Sequence, residues 1–392
     1  MLNLEKRCRS FVKEHFVLIA MLAVLVVGAV VRWALFPFVS GDFKNFNVPW
    51  LNEMRRIGGN AMVADGRFNY SPLFFYLFKL TGDLFPAGDA AVLCKLMSLA
   101  AEVVVSLGCF LAVYRMQVKK TAFSALVIFS AFWLHPLLVL NASAWGQTDC
   151  YYVIFSLLCV WLFVKKQPVW AIAALGVACS WKLQGIFLLP LVILLYFCSE
   201  KHFSILWLLL IPAIMLLTSL PMGLMEMSPM QIFRAYFAQT GEHQTCLALN
   251  YPNIYALLGE SAETYRLLAP VGVGLLALVF CLSAAWMIRR KTVLKGQSVI
   301  LAGAWCVLMC TYLLPSMHDR YAMVGELLLL SYALVSRSKT GALATALCVL
   351  ATLNAYTAYL ATPLFPTGFA MLLLAGGLAL VCWELYKVLK TC

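Results

Sequence analysis

Residues 16–36 read FVLIAMLAVLVVGAVVRWALF, and from Ala20 to Val31 no side chain is polar. As a helix, a run of about twenty such residues crosses the roughly 30 Å hydrocarbon core of a bilayer. Lys6, Arg7, Arg9 and Lys13 precede it, as they would a signal peptide. The run is longer than an h-region, however, and no small-x-small cleavage site follows, so it reads as a retained anchor. Similar runs recur to residue 388 with short gaps. Of the 392 residues 63% are hydrophobic and 12% charged, with a mean hydropathy of +0.89. A soluble domain needs about 25% charged residues to cover its surface. The chain therefore reads as one all-α integral membrane domain, 1–392, a polytopic bundle of transmembrane helices.

The net charge of +12 is topological. Most basic residues sit in short clusters between apolar runs: Lys6 to Arg9, Arg115 with Lys119 and Lys120, Lys165 with Lys166, Arg289 to Lys291 with Lys295, Arg337 with Lys339, and Lys387 with Lys390. That distribution is the positive-inside pattern and excludes a nucleic-acid-binding face. Spans at 16–36, 88–114, 121–140, 150–164, 168–181, 184–198, 204–221, 266–288, 298–314, 320–336, 341–361 and 366–388 make about twelve crossings. With the N-terminus in the cytoplasm they place every basic cluster, and both termini, inside. A further crossing at 70–85 would invert Arg115 to Lys120, so that segment is expected as a helix on the outer interface held by its aromatics. Two outer loops are long, 37–87 and 222–265. The compact connections suit a bacterial plasma membrane.

The 14 cysteines and five histidines are scattered without metal-ligand spacing, and the cysteines read as buried small hydrophobes. Asn141-Ala-Ser143 fits a glycosylation sequon. No internal repeat of the kind that builds transporters is evident.

Four polar clusters fall outside on this topology. Ser40-Gly41-Asp42 follows the first span, in a loop that continues to Phe68-Asn69-Tyr70-Ser71-Pro72-Leu73. A carboxylate at that place serves either as a solvated loop residue or as a general base toward a hydroxyl. Trp145-Gly146-Gln147-Thr148-Asp149 offers an aromatic face and a forked amide to a sugar, while Asp149 also suits a helix N-cap. Asn250-Tyr251-Pro252-Asn253 reads as turn chemistry or as a binding loop. Met317-His318-Asp319-Arg320-Tyr321 puts charge at a membrane edge, where it must be solvated or paired. Arg320, with His318 and Lys182, suits a lipid phosphate. Lys182, with Gln184, lies between two short apolar segments and is expected in a cavity below the outer surface, and Glu326 faces the interior. Residues so far apart in sequence thus share one side of the membrane.

Ser40-Gly41-Asp42, Phe68 to Leu73, Trp145-Gly146-Gln147-x-Asp149, Lys182 with Gln184, Asn250-x-Pro252-Asn253 and Met317 to Tyr321, in this order, resemble the GT-C superfamily of membrane glycosyltransferases. The likeness spans about residues 16–336. Within the superfamily it is nearest to bacterial relatives of the second mannosyltransferase of GPI-anchor assembly and to the dolichyl-phosphate-glucose glucosyltransferases. The resemblance implies transfer of mannose or glucose from a polyprenyl-phosphate donor to a lipid-linked or cell-envelope glycan acceptor. It places inverting base catalysis on Asp42, with substrate contacts from Asn69, Tyr70, Trp145, Gln147, Asp149, Lys182, Gln184, Asn253, His318, Asp319 and Arg320. Phe43 and Lys44 follow Asp42 where many relatives carry a second acid, so neither a metal nor another cofactor is expected. The competing class is a transporter or flippase for a lipid-linked sugar, which requires access from both faces.

Overall fold

The structure, a computed structural model, describes residues 3–64, 70–224, 227–237 and 245–390. It is an all-α membrane protein. Among the described residues the only named strands are Ala248–Leu249 and Met317–His318, two residues each, paired in parallel. Six helices are long and apolar enough to cross a bilayer: Phe16–Leu35, Ala90–Met116, Ile205–Gly223, Ala262–Arg289, Lys339–Leu360 and Thr367–Lys390. A seventh candidate is the pair Ala122–Trp133 and Pro136–Trp145, bent by 41°. Proline has no amide hydrogen to donate and disfavours helix in the residue before it, so the break falls at His135-Pro136. The expected spans at 150–164, 168–181, 184–198, 298–314 and 320–336 are apolar helices of 10–17 residues, below the length that crosses by itself.

Burial differs widely among these helices. Most of Gln297–Leu313 and Met323–Ser336 is buried, whereas Phe16–Leu35 and Ala262–Arg289 leave large aliphatics such as Val26 and Leu267 exposed. Gln297–Leu313 and Met323–Ser336 thus lie at the centre, and Phe16–Leu35 and Ala262–Arg289 present apolar surface to lipid. Charge inside this assembly is held by ion pairs or by hydrogen bonds, as low polarity requires. Arg32 donates from Nε and Nη2 to the two carboxylate oxygens of Glu102 at 2.8 and 2.6 Å, tying the first span to Ala90–Met116. Glu326 is buried and accepts from Thr352 Oγ1, a structural hydrogen bond. Helix starts are capped from the sequence: Asp89 accepts from Val92 N, Ser261 from Thr264 N and Ser338 from Gly341 N.

The segment expected on the outer interface is the helix Pro72–Leu84, 13 residues long. At about 20 Å it is too short to cross. Its aromatics are not membrane anchors, which corrects the sequence reading. Phe74, Phe75 and Phe78 are buried, packed with Trp50, Leu51 and Met54 of Val48–Ile57 and with Cys94 and Met97. Burying three phenylalanines in protein stabilises the helix more than interfacial contact would.

The helices share a polarity. Trp181 at the end of Pro168–Trp181, Asp149 at the start of Cys150–Val164, Pro315 after Gln297–Leu313 and Tyr359 in the last turn of Lys339–Leu360 lie at one end of the bundle. The opposite ends of those helices carry Lys165 and Lys166, Lys295, and Lys339. That basic end is knit together by Lys166 to Glu200 at 2.6 Å and by Leu294 N donating to Cys198 O.

Candidate active site

The polar end of the bundle is built around Gly146. Its φ of +77° is left-handed, and an added Cβ would fall 2.4 Å from the Phe43 ring. Only glycine satisfies both demands. The loop from the first span therefore packs flat on the 140–147 segment. Ser40 Oγ donates to Trp145 O at 2.9 Å, and Asn47 Nδ2 donates to Gly146 O at 2.8 Å. Lys95 Nζ, buried, donates to Ser143 O and Ala144 O at 2.7 and 2.6 Å.

This seam fixes Asp42. Its Oδ2 accepts from Trp145 Nε1 at 3.1 Å and Gln147 Nε2 at 2.9 Å, and Arg320 Nη1 stands 3.8 Å away. Its own amide donates to the Tyr359 hydroxyl at 3.0 Å. The side chain keeps 28% of its surface exposed, so it is held yet accessible. Asp42 is not merely a solvated loop carboxylate.

Behind it lies a buried charge network. Asp149 makes no capping hydrogen bond to its helix. Its carboxylate pairs with Lys182 Nζ, accepts from Asn141 Nδ2 at 3.0 Å and lies 3.4 Å from Arg320 Nε. Burial acts to raise the Asp149 carboxyl, but the Lys182 and Arg320 cations outweigh it and hold its pKa below the ordinary carboxylate value. Asp319, 3.8 Å from Arg320 Nη1, is lifted by burial to about 7, with Arg320 opposing and Asp149 and Asp42 adding. Arg320 thus serves three carboxylates, none at short range, while its guanidinium lies 5.0 Å over the Trp145 ring. Asn141 is fully buried in this network, which rules out the glycosylation sequon.

A cavity of about 450 Å³ opens in front of the network. Its wall takes Asp42, Tyr70, Gln147, Lys182, Gln184, His318 and Arg320 from the expected set. Asp42 is the single acid in that wall among the described residues, facing the cations of Lys182 and Arg320. Lys182 follows the break after Pro168–Trp181, is buried, and lies between the rings of Tyr70 at 5.8 Å and Tyr321 at 5.5 Å. It does not snorkel to the surface. Gln184 Oε1 is buried without a hydrogen-bond partner among the described residues, which leaves polar capacity in the wall for a ligand.

The remaining expected residues sit elsewhere. Trp145 is buried with its ring stacked on Tyr359 at 4.2 Å and covered by Arg320, so it positions Asp42 and leaves no ring face for a sugar. Asp149 and Asp319 stand behind the wall. Asn253 is fully buried in a turn, accepting from Tyr255 N and donating to Leu314 O, and so braces the 250–258 loop. Asn69 lies outside the described residues. Sequence reasoning missed Asn141, Tyr359, Lys95 and Tyr265, the last of which lines the cavity from Ala262–Arg289. Among the described residues no group of three or more His, Cys, Asp or Glu side chains is arranged to hold a metal. No family model matches the chain, and no curated protein matches it significantly.

Proposed function

We propose that the protein is a membrane glycosyltransferase of the GT-C kind that transfers a hexose, mannose or glucose, from a polyprenyl-phosphate donor to a lipid-linked or cell-envelope acceptor. One observation carries the reading: a single held carboxylate, Asp42, shares a cavity with Lys182, His318 and Arg320. Such a pairing suits the removal of a proton at one place and the growth of negative charge at another. Asp42 Oδ1, the oxygen not engaged by Trp145 and Gln147, takes the proton of the acceptor hydroxyl. The acceptor oxygen bonds to the anomeric carbon with inversion as the bond from that carbon to the phosphate oxygen breaks. The donor phosphodiester leaves as a prenyl phosphate monoester, its added charge met by Lys182, His318 and Arg320. Tyr70, Gln147 and Gln184 orient the sugar hydroxyls. Asp149 and Asp319 keep Lys182 and Arg320 in place without touching substrate.

This reading includes about twelve crossings, in which the five short apolar helices span as central elements shielded by the long ones. It sets the basic end in the cytoplasm and the cavity outside, in a bacterial plasma membrane. The test is incubation of the reconstituted protein with radiolabelled polyprenyl-phosphate mannose or glucose and a cell-envelope lipid extract. Label should move from donor to acceptor. If none moves to any acceptor while labelled donor crosses the vesicle membrane, the protein is a flippase and the proposal is lost.

A further inference from the structure

A second cavity, of about 320 Å³, lies between Ala90–Met116 and Cys150–Val164, toward the ends of those helices remote from the polar site. Val105, Ala112, Leu157 and Val160 form its sides, and Ile300 and Leu328 its floor. Lining residues Val104 and Leu111 are 52% and 49% exposed, so the slot opens outward to the bilayer. Gly108 faces open space, since an added Cβ there would meet nothing within 4 Å. A dry apolar slot open to hydrocarbon does not retain water. Left empty it forfeits the dispersion contacts of its walls, which a lipid chain would supply.

Its basic end selects the lipid. Arg115 is the one charged side chain in the wall among the described residues. Trp161, also in the wall, carries Lys165 Nζ at 4.7 Å from its ring centroid. The neighbouring Lys166 is occupied by Glu200, whereas Arg115 and Lys165 have no carboxylate partner among the described residues. A guanidinium and an ammonium flanking an apolar slot match a phosphate with an acyl chain attached.

We propose that this slot binds one acyl chain of an anionic phospholipid, whose head-group phosphate is held by Arg115 and Lys165. Under the orientation proposed above the lipid comes from the cytoplasmic leaflet, but the contact itself does not depend on that orientation.

The protein, delipidated in a nonionic detergent, is titrated with phosphatidylglycerol or phosphatidylcholine and followed by native mass spectrometry. Phosphatidylglycerol should bind one per chain and phosphatidylcholine much more weakly. Gly108→Leu, which fills the slot with a better helix former, should lose the bound lipid. The doubly neutralised Arg115→Gln, Lys165→Gln variant, both changes on exposed side chains, should lower phosphatidylglycerol affinity roughly fivefold per charge. Equal binding of the two lipids, retention of phosphatidylglycerol by both variants, or a dimer that closes the slot without lipid overturns the proposal. Transfer activity is not read in this experiment, so its outcome is separate from that of the proposed reaction.

Discussion

Trp145 donates its indole N–H to Asp42 Oδ2 at 3.1 Å, a contact between residues 103 positions apart in the chain. It fixes the orientation of a carboxylate that lines the cavity. Trp145→Phe keeps the ring against Tyr359 and removes only the donor, so it tests orientation separately from packing. We expect kcat for hexose transfer to fall on the order of tenfold, with KM for the donor little changed and the thermal midpoint within a few degrees. A variant with parental kcat means that the indole hydrogen bond does not serve the reaction.

The Asp149–Lys182 pair is buried on both sides, at 0% and 7% side-chain exposure. Removing one partner strands the other charge in a medium that cannot solvate it. Asp149→Asn should therefore cost roughly 3–5 kcal/mol, read as a large drop in the detergent-solubilised thermal midpoint. Asp149→Asn with Lys182→Met, leaving no uncompensated ammonium, should recover much of that loss. If the double change is as damaging as the sum of its parts, the pair is not coupled as the geometry describes.

Burial holds the Asp319 carboxyl at about 7, above its ordinary value of 3.8. Between those two values the folded state carries a proton that the unfolded state has released. The contribution of this group to stability therefore falls as pH rises through that window, and levels off above it. Thermal midpoints measured across it should decline more steeply for the parent than for Asp319→Asn. Parallel curves contradict the assignment.

Gly146→Ala joins two penalties, a left-handed φ of +77° and a Cβ contact of 2.4 Å with Phe43. It should destabilise by about 1–3 kcal/mol and depress transfer, because the seam that carries Asp42 opens. Phe43→Ala relieves the contact but not the φ. Because Phe43 is buried, its loss has a cavity cost of its own, so the comparison is a cycle. Gly146→Ala should cost less in the Phe43→Ala background than in the parent, and no cost there shows that the backbone was not strained.

Much of the fold and half of the site are legible in the amino-acid sequence, for identifiable reasons. Long apolar runs specify helices whatever their neighbours, so Phe16–Leu35 and Ala262–Arg289 follow from hydropathy alone. The clustering of Lys and Arg between runs marks the end opposite the site, and the structure sets Asp42, Lys182 and Arg320 together at the other. Tertiary choices are not legible. The phenylalanines of Pro72–Leu84 look the same in sequence whether they meet lipid or Trp50, and the structure buries them. Trp145 suggests a sugar platform because an indole face carries no record of the Tyr359 ring stacked on it. Asn141 matches a sequon, a pattern blind to burial, and Tyr359 carries no local signal except its place in the last turn of Lys339–Leu360.

The most direct measurement of the central claim is single-turnover transfer from radiolabelled polyprenyl-phosphate hexose by parent and Asp42→Asn enzyme, with donor binding measured on both. The amide is isosteric, still accepts from Trp145 and Gln147 through its oxygen, and cannot take a proton. Asp42→Asn should bind donor as the parent does and transfer it on the order of 10²–10⁴-fold more slowly. Transfer at the parental rate, with donor bound equally well, contradicts the assignment of Asp42 as the base.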